Sequence, residues 1–173
     1  MTSNSQKFCI HSESIDTIAK IVCTGLGLAE YEVSWDFVDT QSMRELNRKF
    51  RQKDRSTDVL SFPQEDWLTP RLFHKPEWPL ADESVLDEDN PPQILGDVVI
   101  SPEDAKRNAA DIGHSLDRET CFLLVHGILH LCGHDHEQAD DEKLMIEQQK
   151  AIMEFLESAA VRPLWEACIS IEE

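Results

Sequence analysis

Hydrophobic residues recur along this chain at two spacings, and the changes from one to the other mark its elements. Ile15, Ile18, Ala19, Val22 and Leu26 fall at helical spacing within residues 13–26, with Gly25 and Gly27 near the end, which predicts a helix closed by glycine. Over residues 31–38 the period drops to two: Val33, Trp35 and Phe37 alternate with polar neighbours, as in a half-buried strand. Met43, Leu46 and Phe50 return to i, i+3 and i+7 and predict a short amphipathic helix. Residues 59–62 form a short apolar run stopped by Pro63, a second strand, and the β-branched run at residues 94–100 is a third. Ser101-Pro-Glu-Asp104 reads as a capping box with proline at the first helical position, so a helix starts there. Another helix runs from about Leu116 to Cys132 and stops at Gly133. A last amphipathic helix covers residues 138–158, with Leu144, Ile146, Ile152, Met153 and Phe155 as its apolar positions.

Two stretches break the pattern. Residues 64–92 hold five of the eight prolines, two tryptophans and an acidic excess with no sustained period, and predict a long excursion, functional or mobile. Val161 to Glu173 fits neither period. The elements sum to a single α+β domain over residues 1–158, with an inserted loop at about 64–92 and an acidic C-terminal extension at 159–173.

Composition narrows the class. A chain of 173 residues, 40% hydrophobic, is long enough for one real core. Sixteen Lys+Arg against 34 Asp+Glu give a net charge of −18, so the surface as a whole is no glove for nucleic acid. No apolar run is long enough to span a membrane, and the polar start of the chain lacks the apolar segment of a signal peptide. Five cysteines, at positions 9, 23, 121, 132 and 168, are odd in number and scattered, which fits free thiols in a reducing cytoplasm.

The candidate chemistry is concentrated in Val125-His-Gly-Ile-Leu-His-Leu-Cys-Gly-His-Asp-His136, which holds four of the seven histidines. His126 and His130 are one helical turn apart on one face. Gly133 can end the helix and fold the chain back, so that His136 returns a third imidazole to the same point. Three neutral imidazoles and an open fourth position describe a catalytic zinc site, one ion per chain, at a helix C-terminus and its following turn. The competing reading is a pair of helical histidines beside a solvated turn. Nickel or copper would also suit three imidazoles. His134 is expected outside the ligand set, behind it or facing solvent. Cys132 faces the core, and Asp135 either orients a ligand or caps its own turn.

Two precedents share this spacing. Metzincin peptidases have it, with a glutamate after the first histidine as general base, where this chain has Gly127. The longer stretch His126-Gly-x-Leu129-His130-Leu-x-Gly133-x-Asp135-His136 resembles the signature of the YbeY endoribonucleases. So do Leu46-Asn-Arg-Lys-Phe-Arg51 with Asp54, Ser56-Thr-Asp-Val-Leu-Ser-Phe-Pro63, and Leu95-Gly-Asp-Val-Val-Ile100, in the family's order over about residues 31–156. The resemblance implies a small mixed β-sheet flanked by helices. It implies a single-strand-specific, metal-dependent endoribonuclease acting in ribosomal RNA maturation and ribosome quality control, with the small subunit or its associated proteins as partner. It also implies His126, His130 and His136 as zinc ligands and Arg51 as a functionally important arginine. The long 64–92 excursion and the acidic tail depart from the family pattern. A zinc peptidase without its glutamate, and a non-catalytic ribosome-associated zinc protein, are the alternatives. The second would need a fourth protein ligand such as His134 or Cys132.

Charge is compatible with RNA because it is unevenly spread. Residues 44–55 hold six basic and two acidic side chains. Arg44, Arg48, Lys49, Arg51, Lys53 and Arg55 form a candidate strip guiding a phosphate backbone to the metal, against the simpler reading of a solvated helix face. Trp67 and Trp78 either stack bases or cover apolar surface, and the second is the expectation.

Overall fold

The computed structural model describes residues 7–81 and 89–172; residues 82–88 of the expected excursion, and Glu173 of the tail, lie outside the described residues. Helix α4 (Leu116–Leu131) is the axis of the fold. Ten of its 16 residues are buried, because it has neighbours on every side. A sheet of β2 (Tyr31–Phe37), β4 (Gln93–Ile100) and β3 (Val59–Pro63) lies against one flank of α4. Helices α1 (Ser12–Gly25), α3 (Pro102–Ile112) and α5 (Ala139–Ser158) pack on its other flanks. Strand order is β2–β4–β3, with β2 parallel and β3 antiparallel to the central β4, so the sheet is mixed, as expected.

β4 is covered on both faces, which is why its sequence is a continuous apolar run instead of an alternation. Leu95, Val98 and Ile100 face the main core with Ile15, Ile18, Val22, Leu124, Ile128 and Leu129. Val99 and Leu60 face the other way, under Met43 of α2 (Thr40–Arg51). Each of these buried aliphatic side chains contributes about 1.5–3 kcal/mol of transfer free energy.

The remaining elements differ from expectation in four ways. Phe50 lies on the rim of its helix, 54% exposed, and Ile146 is 59% exposed on α5, whose buried stripe keeps Ile152, Met153 and Phe155 and adds Met145, Gln149 and Leu156. Only half of the capping box forms. Ser101 Oγ accepts from Asp104 N, but Asp104's carboxylate accepts from Ser56 and Arg107, because Ser101 N donates to Asp58 O. Two strands were not legible: β1 (Lys7–Ile10) and β5 (Ile169–Glu172) pair antiparallel, Lys7 opposite Glu172. The segment preceding β5 carries Trp165 and Cys168 into the main core, and Asp117 of α4 accepts hydrogen bonds from Ala167 N and Ile169 N.

Residues 64–81 form no helix or strand, yet Trp67, Phe73, Trp78 and Leu80 pack against the core, so these tryptophans cover apolar surface. Among the described residues no helix is long and apolar enough to cross a membrane. All five cysteines are free.

Candidate metal centre

The site is built by the end of α4. Ser115 caps its start, its hydroxyl accepting from Arg118 N, with Asp117 and Glu119 in the first turn. The other end closes in a Schellman turn: Gly133 N donates to His130 O and His134 N to Leu129 O, with Gly133 at φ 90°. The left-handed residue reverses the chain and brings His136 back over the last helical turn.

His126, His130 and His136 then meet, each offering a ring nitrogen within 4.8 Å of the others. The Nε2 atoms of His126 and His130 stand 3.1 Å apart. Both Nδ1 atoms are already committed. His130 Nδ1 donates to the carbonyl of His134 at 3.0 Å, and His126 Nδ1 donates to Gln149 Oε1 at 3.2 Å. The Gln149 amide is itself oriented, since its Nε2 donates to Phe122 O at 2.8 Å. Two neutral rings fixed in this way turn their Nε2 lone pairs toward each other, an arrangement favourable only around a cation. Tetrahedral zinc with Zn–N bonds of ~2.0–2.1 Å sets its ligands ~3.3 Å apart, close to the spacing found. Burial keeps the rings neutral: it lowers the pKa of His126 despite the opposing Gln149 hydrogen bond, and it lowers that of His130 to about 4.

The neighbouring candidates sort differently. His134 is buried and points away, its Nε2 on Arg71 O at 2.7 Å; it serves the site through its backbone carbonyl and does not face solvent. Asp135 caps the turn, its carboxylate accepting from His136 N. Cys132 is packed in the core, and burial raises its thiol pKa, so it offers no thiolate. Among the described residues these three histidines are the one group that could hold a metal ion.

Arg51 is exposed at the end of α2, close enough for its charge to act on His126. The strip around it is thinner than the sequence suggests. Arg44 is spent on Asp54 in a two-pronged pair at 2.9 and 3.0 Å, and Lys49 lies over the Phe50 ring.

Gly127 has a steric cause. A Cβ there would lie 2.6 Å from Val98 Cγ1 and 3.2 Å from Ser61 Oγ, because α4 presses on β4 and β3 at this point. Ser61 Oγ donates to Gly127 O across the same contact. The position that holds a peptidase's glutamate therefore faces the sheet, with no room for a side chain.

Residues 64–81 reinforce the turn from outside. Trp67 Nε1 donates to Leu131 O and Arg71 N to Cys132 O, satisfying two carbonyls that the end of α4 leaves open. Neither this clamp nor Gln149 was legible as part of the site. The available signal for Gln149 was an amide interrupting the apolar stripe of α5.

Comparison with known proteins agrees with this geometry. The profile of the family described as Endoribonuclease YbeY matches residues 2–157. A protein of that name from Clostridium botulinum (strain Langeland) is 40% identical over 125 residues, covering 72% of this chain and 74% of its own. Another, from Aquifex aeolicus, is 37% identical over 151 residues and 87% of each chain. A solution structure from Thermotoga maritima superimposes with a TM-score of 0.52 at 26% identity, over 82% of this chain and 79% of that one.

Proposed function

The chain belongs to the Endoribonuclease YbeY family, and from that premise we propose that it is a zinc-dependent endoribonuclease cleaving single-stranded RNA in the cytoplasm, in ribosomal RNA maturation and ribosome quality control. Ribosomal RNA is the substrate and the small subunit or its associated proteins the partner in this reading. One observation carries it: three imidazoles converge on a point, with their other nitrogens or turn held by Gln149, the His134 carbonyl and Asp135. The peptidase alternative lacks both its glutamate and the space for one. The non-catalytic alternative finds, among the described residues, no fourth protein ligand to close a structural zinc site.

His126, His130 and His136 would hold the metal, which when bound polarises a phosphoryl oxygen and makes water a better nucleophile. The rest falls to the chain. Gln149 and the His134 carbonyl keep two ligands in the tautomer that presents Nε2. Arg51 supplies a planar guanidinium that grips a phosphate by two hydrogen bonds and stabilises the charge developing on it.

The test compares wild type with His130→Ala and Arg51→Ala, measuring metal content and cleavage of a single-stranded RNA. Wild type should carry about one zinc per chain and cleave. His130→Ala should lose both, and Arg51→Ala should keep the metal while cleaving at least about tenfold more slowly. Full cleavage by metal-free His130→Ala would overturn the scheme.

A further inference from the structure

Phe50 is an exposed aromatic ring that the fold has no use for as core. One exposed apolar side chain needs no explanation on most surfaces. This one differs in three respects. It lies between Lys49 and Arg51 in the most basic stretch of a chain whose net charge is −18. It is held in place: its ring meets Phe62 of β3 edge to face, centroids 5.0 Å apart at 69°. Lys49 Nζ sits 5.1 Å from its centroid.

The fold also ties the ring to the metal centre. Arg51, which the proposed function places on a phosphate, is the next residue of the chain. Phe62 is adjacent to Ser61, whose hydroxyl reaches Gly127 O, next to His126. β3 is an edge strand of its sheet, so the side carrying Phe50 and Phe62 and the side facing α4 are separated by a single free strand edge.

We propose that Phe50 is a stacking platform for an unpaired nucleobase of the RNA beside the cleaved phosphodiester, with Arg51 on a flanking phosphate. The inference rests on the endoribonuclease reading and deepens it. Aromatic faces flanked by cations bind any base, whatever its identity, provided the base is free of its own stack. Phe50 thus gives a physical cause for single-strand specificity: a base held in a duplex cannot reach the ring.

The test uses the zinc-loaded full chain and a labelled single-stranded RNA, together with the same RNA carrying one abasic ribose at successive positions. Metal content and thermal midpoint are measured alongside. Phe50→Leu should keep both, since the residue is exposed, while kcat/KM falls about tenfold, mainly through KM. Phe50→Trp should restore cleavage. In wild type, one abasic position near the cut should cost a similar factor, and that cost should vanish in Phe50→Leu. Unchanged cleavage by Phe50→Leu, or an abasic series without a sensitive position, overturns the platform while leaving the nuclease intact. A zinc-loaded wild type that cleaves no RNA overturns both.

Discussion

Gln149 shows how much of the site depends on a residue outside the ligand group. Its carbonyl oxygen accepts the His126 Nδ1 proton, and its amide is held by Phe122 O. Gln149→Leu should therefore weaken metal binding about 10–100-fold with the fold intact, as read by competition with a chelator. A variant binding metal as tightly as wild type would assign Gln149 to packing alone. Protonation tests the same geometry from another side. In the folded chain the pKa of His130 is lowered from 6.5 to about 4, mostly by burial. Below pH 6.5 the unfolded chain takes up a proton that the folded chain refuses, so the folded state loses ground. The metal-free protein should lose stability as pH falls from about 6.5 to about 4, and His130→Ala should show a shallower slope in denaturant titrations across that window. Parallel slopes would mean that the ring is not desolvated as described. The three histidines were legible because ligand chemistry restricts residue type and helical spacing restricts position. Gln149 was not, because 23 residues separate it from the histidine it holds, and only the packing of α5 on α4 joins them.

Elements whose own sequence sets their form were the readable ones. α4, α5, β2 and β4 fall within a residue or two of their expected bounds, since period, caps and glycine stops act locally. β1 and β5 are four residues each and have no period of their own; they are strands only because they pair with each other. Residues 64–81 escaped for a related reason. Their order comes from hydrogen bonds to α4 and from buried aromatics, while their local sequence shows only prolines. The contact between α4 and the sheet offers a direct test. At Gly127 an added methyl must displace Val98, so Gly127→Ala should cost about 1–3 kcal/mol in chemical denaturation and disturb His126 next to it. Full stability in that variant would show the helix free to move off β4.

At the scale of the molecule, the segment after α5 packs inward: Ile169 is 4% exposed, and Trp165 and Cys168 lie in the main core. Ile169→Ala should lower unfolding free energy by about 2–4 kcal/mol while leaving the cleavage rate per folded molecule unchanged. A loosely attached extension would show no loss. The acidic surface around a basic, aromatic cleavage face also has a purpose in the proposed reading, since it disfavours indiscriminate RNA binding. The pairing of β1 with β5 bears on how the protein is made. β1 waits for β5, so its edge, Ile10 included, stays open until residues 169–172 have been synthesised. Closure spans about 160 residues of chain, so the sheet at the termini forms late, after the helices have collapsed around α4. A nascent chain of this protein is therefore complete in its metal ligands well before it is complete in its fold.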